Sequence, residues 1–243
     1  MKKTIVLLCA AVALGACGGA PEGEAQDETV ETEGEESAAE PVALFDNGLP
    51  EYPDFDSATL ESETTILDQA QVEFETGDSI GDVYDYYLGS IEAQGLSVES
   101  TQIAATPSEG SGGATIDANT RSAGTEVSVL VYMGSTNSDP AANFTDGTPR
   151  YPGVAEADIE AGKAGDGERD VYRFTTSDSP AEVLAFYREA FTQNGMTISA
   201  MLARLRNDAS ETASVYARER LGGGATSVTL ATEGDRWAAA GGE

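Results

Sequence analysis

The clearest pattern along this chain is an alternation of apolar and polar residues that gives way to helical spacing, and it occurs twice. Residues 72–76 and 172–176 alternate with the period of a half-buried strand. Downstream of each, apolar residues recur at i, i+3, i+4 and i+7, which predicts an amphipathic helix whose apolar stripe faces a sheet. The stripe comprises Val83, Tyr86, Tyr87 and Ile91 in the first half, and Val183, Phe186, Tyr187, Ala190 and Phe191 in the second.

The sequence also predicts where these helices begin and end. Ser179 precedes Pro180 and stands three residues before Glu182, which predicts an N-cap, a proline at the first helical position and a capping box. Ser79 heads a weaker version of the same start. Gly95 and Gly195 stand where a left-handed residue closes a helix. A cap fully explains the repeated Asp-Ser at 78–79 and 178–179, so we assign it no catalytic role.

The two halves are copies of one another. Ten residues recur in the same order at a spacing of 99 or 100 residues, which one single-residue insertion reconciles. They are Pro50, Tyr52, Pro53, Phe74, Thr76, Asp78, Ser79, Val83, Tyr87 and Gly95, matched by Pro149, Tyr151, Pro152, Phe174, Thr176, Asp178, Ser179, Val183, Tyr187 and Gly195. We therefore predict two modules, 48–135 and 148–235, joined by a polar loop at 136–147 and followed by a tail at 236–243.

Each module is predicted to be β-α-β-β-β. Three strands follow each helix, at 96–104, 114–121 and 126–133 in the first module and at 196–206, 213–220 and 226–232 in the second. Gly-rich or Ser/Asp-rich turns separate them. The fold class is thus α+β: two tandem modules, each a mainly antiparallel sheet with one helix on one face.

The N-terminus has the features of a secretory signal. A short basic start and the apolar run Thr4–Leu14 lead into Leu14-Gly15-Ala16-Cys17. This ending resembles the lipobox of bacterial lipoproteins, which implies cleavage before Cys17 and acyl chains, palmitate among them, on that residue. The arrangement YP…F-T-x-D-S…V…Y…G likewise resembles a module of uncharacterised envelope lipoproteins, and this resemblance implies an architecture but no activity.

Residues 18–47 are predicted to be a disordered acidic linker. They carry a net charge of −10 and almost no apolar side chains before Leu44 and Phe45. Self-repulsion, and repulsion from an anionic membrane, would hold the folded part away from the lipid in the periplasm. Cys17 is followed by Gly18 and not by an Asp, which resembles lipoproteins that are passed on to the outer membrane, and this resemblance implies lipid anchoring there.

Composition excludes several kinds of chemistry. The chain has no histidine, and its two cysteines, Cys9 and Cys17, lie in or at the end of the signal. Triads that contain histidine and most zinc sites are therefore excluded. Lys163, the one lysine beyond the signal, is predicted to lie in a solvated loop. A net charge of −30 argues against nucleic acid as a partner. We predict no cofactor and no metal.

The bases that remain lie almost entirely in the last hundred residues, and four arginines among them are predicted to share one sheet face of the second module. Arg204 and Arg206 would face the same way as Tyr216, Arg218 and Arg220 across a hairpin. Two interpretations stay open. The arginines pair with Glu219, Glu211 or the acidic first module, or they bind an anionic group of a partner protein, a lipid or the cell wall.

We therefore expect a non-catalytic envelope lipoprotein that binds or scaffolds a partner. The alternative is a carboxylate-dependent hydrolase with its site between the modules. Close acidic residues could also bind calcium weakly, though none has a loop of the required spacing. They are Asp54 and Asp56, Asp78, Asp82 and Asp85, and Asp166, Glu168 and Asp170.

Overall fold

The structure is a computed structural model that describes residues 45, 48–53, 55–66, 69–107, 112–132, 148–164, 169–220 and 224–234. All of them belong to one compact unit, Pro41–Glu243. The predicted signal peptide with Cys17, nearly all of the acidic linker, the loop at 136–147 and the tail at 236–243 lie outside the described residues.

The two halves contain the same elements in the same order, each opening on a short 3₁₀ turn. In the first half these are the turn Ser57–Thr59, β1 (Leu60–Ile66), β2 (Gln69–Thr76), α1 (Ile80–Glu92), β3 (Ser97–Pro107), β4 (Gly113–Arg121) and β5 (Gly124–Tyr132). In the second half they are the turn Glu156–Asp158, β6 (Glu160–Ala164), β7 (Arg169–Thr176), α2 (Pro180–Gln193), β8 (Met196–Arg206), β9 (Thr212–Glu219) and β10 (Thr226–Glu233).

The predicted helix ends are confirmed. The Ser179 hydroxyl accepts from the backbone N–H of Glu182, and the Glu182 carboxylate accepts from the backbone N–H of Ser179 at 2.7 Å, so the capping box is complete. Ser79 accepts from the backbone N–H of Asp82 in the equivalent place. Gly95 and Gly195 have φ angles of 85° and 68°, the left-handed conformation expected of a residue that ends a helix.

The strands form one continuous sheet, in the order β1-β2-β10-β9-β8-β3-β4-β5-β7-β6. Every neighbouring pair is antiparallel. The α+β class and the antiparallel pairing are as expected, but the expectation of a separate sheet for each module is wrong. The first half's β2 pairs with the second half's β10, and the second half's β7 pairs with the first half's β5.

The strand order has an internal two-fold symmetry. Exchanging each strand for its copy in the other half reproduces the same order, read from the opposite edge. The symmetry centre lies in the β3–β8 pair, where Gln102 is opposite Leu202, the residue one repeat further along the chain. The duplication is therefore preserved in three dimensions as an exchange of strands between the halves.

The helices follow the same exchange. α1 packs on β8 and β9 of the second half, while α2 packs on β3 and β4 of the first half and on β8. The buried Thr101 hydroxyl on β3 donates to the Pro180 carbonyl at the start of α2 at 2.9 Å. The helices cover the sheet face that carries the buried side chains, including Ile103, Met201 and Leu205.

A single sheet leaves fewer unpaired edges than two sheets do. Two five-stranded sheets would expose four edges, each a row of unpaired backbone groups, whereas the ten-stranded sheet exposes two. These edges are β1 and β6, the strands that the sequence did not reveal. Lys163, expected in a loop, lies in β6 and forms an ion pair with Asp170.

The core begins earlier in the chain than predicted. Phe45, assigned to the acidic linker, is buried, and its ring centroid lies 4.9 Å from that of Phe55 and 5.8 Å from that of Phe74. Phe45, three residues before the first module, thus contributes to the fold. Within the described ranges, neither helix has the length and apolar character that crossing a membrane requires.

Candidate functional site

The predicted arginine face lies on the side of the sheet that the helices do not cover. On β8, Arg204 and Arg206 are exposed and alternate with Ala203 and Leu205, which are buried against the helices. On β9, Tyr216 and Arg218 alternate in the same way with Val215 and Ala217. Arg220 follows directly after the last residue of β9.

The register divides these side chains into two groups. Arg204 is opposite Ser214 and Arg206 is opposite Thr212, near the β8–β9 turn, whereas Arg218 is opposite Ala200. Ala200 and Arg204 are four residues apart along the strand, or roughly 13 Å. The four arginines therefore share a face without forming one cluster.

Three of the four arginines already have a partner. Arg206 forms an ion pair with Glu99 at 3.1 Å, and Arg220 forms one with Glu75. Both carboxylates belong to the first half of the chain. This agrees with the interpretation in which the arginines pair with the acidic first module. The guanidinium carbon of Arg218 lies 6.0 Å from the ring centroid of Tyr216, a cation–π distance.

Arg204 differs from the others. It forms no ion pair or hydrogen bond with any residue that the structure describes, and its side chain is exposed. It also lines an open groove of about 480 Å³, which we call the arginine groove. The groove crosses the uncovered face from β1 to β8, and its other lining residues include Gln69, Gln71, Glu99, Arg206, Ser214 and Glu233.

A second concavity meets the arginine groove at the Arg206–Glu99 ion pair, because both residues line both spaces. This turn groove, of about 600 Å³, extends over the β8–β9 turn to Asn207 and Asp208 and across to Thr120. Together the two grooves form a path from the β1 edge of the uncovered face, over Arg204, to the end of β8.

The other half of the sheet lacks this arrangement. One repeat earlier, Arg204 and Arg206 correspond to Ala104 and Thr106 on β3. Gln69 and Gln71 on β2 correspond to Arg169 and Val171 on β7. The two ends of the sheet share a backbone plan but differ in the side chains of this face, so the side chains that line the arginine groove are not repeated at the other end.

The repeated Asp residue has a role that sequence reasoning missed. The Tyr151 hydroxyl donates to the Asp178 carboxylate at 2.7 Å, which ties the opening segment of the second module to the start of α2. Burial and the hydrogen bond to Asp78 raise the pKa of the equivalent Tyr52 to about 12. The signal was present in the sequence, because Tyr and Asp recur as a pair in both halves.

The other acidic groups do not assemble into a metal site where the structure shows them. Asp54, Asp166 and Glu168 lie outside the described residues, and Asp170 is engaged with Lys163. Asp82 accepts from the Ser79 hydroxyl at 2.6 Å, and Asp85 binds Arg188 across the two helices. In the described ranges, no three His, Cys, Asp or Glu side chains are grouped so as to hold a metal ion.

Comparison with known proteins gives no family for this chain. No family model and no curated protein matches it. Among solved structures, the PH1012 protein of Pyrococcus horikoshii OT3 is 10% identical over 68% of this chain and 79% of its own, with a TM-score of 0.20. A conserved hypothetical protein of Pyrococcus furiosus is 13% identical over 69% and 81%, also at 0.20. Such low TM-scores carry no argument about fold or function.

Proposed function

We propose that this protein is a lipid-anchored, non-catalytic envelope lipoprotein that binds an anionic group of a partner in the arginine groove. One observation carries the binding proposal: Arg204 stands in a groove with no partner among the described residues. A guanidinium presents several donors in a fixed planar arrangement that matches a carboxylate. The neighbouring Arg206–Glu99 pair holds the second guanidinium in place beside it.

The anchor rests on the sequence Leu14-Gly15-Ala16-Cys17 and on the acidic residues that follow it. Acyl chains stabilise membrane association by about 0.8 kcal/mol for each buried methylene, so two or more chains on one residue hold a protein firmly. We expect the protein to fractionate with the outer membrane, and a Cys17→Ser variant to appear in the soluble fraction. A Cys17→Ser protein that stays with membranes would contradict lipid anchoring.

The binding proposal is tested by cross-linking in intact cells. A photoreactive residue at Ser214, opposite Arg204, should capture a partner. Arg204→Glu with Arg206→Glu should abolish the captured band, because two cations in the groove become anions. The matched control, Arg218→Glu with Arg220→Glu, makes the same change of charge at the far end of β9 and should retain the band.

Each double variant breaks one ion pair, Arg206–Glu99 or Arg220–Glu75, and puts two carboxylates together, so both should lose a similar amount of stability, about 1–2 kcal/mol. Equal loss of the band in both would show attraction by overall charge rather than binding in the groove. Retention of the band by the Arg204→Glu, Arg206→Glu protein would show that the groove is not the binding site.

A further inference from the structure

The lining of the arginine groove restricts the charge that a ligand can carry. Its two arginines face two carboxylates, Glu99 and Glu233, and one of the two arginines is already paired with Glu99. Arg204 is therefore the one guanidinium of the groove that the described residues leave uncompensated. A multiply charged phosphate group would meet both carboxylates as well as the net charge of −30 on the chain. A single carboxylate fits this balance.

The other side chains of the groove offer neutral hydrogen bonds. Gln69 and Gln71 contribute amides, although the Gln71 nitrogen also donates to the Glu73 carboxylate at 2.6 Å. Thr212 and Ser214 contribute hydroxyls, while the apolar lining is limited to Ala70 and Ala231. A ligand that matches this surface exposes hydroxyl and amide groups along its length. Lipid acyl chains and the apolar face of an amphipathic helix do not match it.

The backbone excludes the usual way in which a sheet binds a peptide. An extended peptide adds to a free sheet edge through main-chain hydrogen bonds. Of the strands that line the arginine groove, β2, β10, β9, β8 and β3 have hydrogen-bonded neighbours on both sides. β1 is an edge strand, but it contributes Thr64 alone. Recognition must therefore come from side chains, which suits a saccharide better than an extended peptide.

The extent of the path favours a chain of several units. The arginine groove and the turn groove meet at the Arg206–Glu99 pair, so a ligand seated on Arg204 can continue toward Asn207 and Thr120. The Asn207 amide is engaged with Glu211, so the groups that flank the single free guanidinium are Gln71 and Ser214 in the arginine groove and the Thr120 hydroxyl in the turn groove.

From these observations, which rest on the proposed binding function, we infer that the arginine groove binds an acidic saccharide chain. Arg204 binds one carboxylate, and Gln71 and Ser214 bind neighbouring hydroxyl groups. The ligand class is a polyhydroxylated polymer with carboxylates separated by neutral sugars, as distinct from a phosphorylated headgroup or a peptide.

Calorimetric titration of the purified full chain in detergent tests this inference with three probes. They are a hyaluronan hexasaccharide, which has a carboxylate on every second sugar, its carboxyl-reduced neutral form, and inorganic phosphate. The hexasaccharide should bind at least tenfold more tightly than either of the others. Arg204→Gln should weaken it at least tenfold, and Gln71→Leu with Ser214→Ala should weaken it several-fold. Arg218→Gln, a matched loss of charge outside the groove, should bind as the parent does.

Each contrary result has a separate meaning. Phosphate that binds as tightly as the hexasaccharide, or a hexasaccharide that does not bind, overturns the saccharide inference. The proposed function would still stand if capture in cells depended on Arg204 and Arg206. Equal weakening by Arg204→Gln and Arg218→Gln also overturns the inference, because binding would then follow net charge. Loss of both capture and saccharide binding removes the groove as a site altogether.

Discussion

At the scale of single residues, the buried tyrosines fall into two groups. In one the hydroxyl is hydrogen-bonded, and in the other only the ring contributes, by packing in the core. The Tyr151 hydroxyl is hydrogen-bonded to a carboxylate. Those of Tyr84, Tyr87 and Tyr187 are buried without a hydrogen-bond partner among the described residues. A buried hydroxyl with no partner costs stability, whereas one bonded to a charged group contributes to it. Chemically identical residues should therefore respond oppositely to loss of the hydroxyl.

Tyr151→Phe and Tyr187→Phe form a matched pair that tests this. Tyr151→Phe should lower the free energy of unfolding by about 1.5–3 kcal/mol, because it removes a hydrogen bond to a charged acceptor. Tyr187→Phe should leave stability unchanged or raise it by up to about 1 kcal/mol, since it removes an unsatisfied donor. Urea denaturation measures both. A larger loss for Tyr187→Phe would mean that its hydroxyl has a partner.

The same residues predict a loss of stability in alkaline solution. Burial and the hydrogen bond to Asp78 raise the pKa of Tyr52 to about 12 from 10.0, and burial is also the main cause that raises the pKa values of Tyr87, Tyr151 and Tyr187. Between about pH 10 and pH 12, the unfolded chain loses the phenolic protons of these tyrosines while the folded chain keeps them. The stabilisation is therefore complete below about pH 10 and is lost progressively as the pH rises toward 12.

Urea midpoints measured from pH 8 to pH 11.5 give the check. They should be flat up to about pH 9.5 and fall above it, and Tyr52, Tyr87, Tyr151 and Tyr187 should contribute tyrosinate absorbance only on unfolding. Tyrosinate absorbance from all nine tyrosines near pH 10 in the folded protein, without loss of stability, would contradict the assignment.

At the scale of elements, periodicity and caps were enough to locate the helices and the central strands. β8 has the bounds predicted for it, and the other strands after the helices agree within three residues. The edge strands β1 and β6 were missed for a physical reason. A strand paired on one side only need not bury alternate side chains, and the first four residues of β6 are all exposed. No pattern in the sequence marks such a strand.

The caps give a prediction at this scale. Glu182→Ala should lower the free energy of unfolding by about 1 kcal/mol, because it breaks the capping box and removes a negative charge from the first turn of α2. The matched control is Glu189→Ala, in the same helix, where the exposed carboxylate accepts from Gln193 only. It should change stability by less than about 0.5 kcal/mol. Thermal or chemical denaturation that ranks Glu189→Ala as the costlier change would argue against a functional capping box.

At the scale of the whole molecule, the exchange of strands makes each half dependent on the other. β2 has its second neighbour in β10, β7 has its second neighbour in β5, and each helix packs on strands of the other half. Neither half retains a complete set of partners if the other is removed. The two halves should therefore behave as one cooperative unit in spite of their tandem sequence.

Cleavage of the chain between the halves tests this dependence. A protease site inserted within residues 136–147 should be cut without separating the halves, which should co-elute on size exclusion at the mass of the intact chain. Unfolding should remain a single transition whose midpoint varies with protein concentration after cutting, because unfolding is then coupled to dissociation. Two fragments that elute separately and stay folded would mean that each half carries its own sheet.

Some features of the candidate site follow from the local sequence, whereas others depend on contacts between distant parts of the chain. Alternation along β8 and β9 was enough to place Arg204, Arg206, Tyr216 and Arg218 on one face. The separation of the arginines into two groups depended on the register of the hairpin. The pairing of Arg206 with Glu99 depended on β3 lying beside β8. A sequence pattern shows which way a side chain faces but not what faces it across a long-range contact.

The sequence by itself determined the duplication, the helices with their caps, the strands that bury alternate residues and the face on which the arginines lie. The duplication is found by comparing the chain with itself at a spacing of 99 or 100 residues, and the other features depend on spacings within about ten residues, which the chain carries directly. Only the tertiary structure decided that β2 pairs with β10 instead of β5, and that the two halves share one sheet. β5 and β10 are copies with the same alternation, so they offer β2 nearly equivalent local patterns. The choice between them is made by packing across the whole molecule.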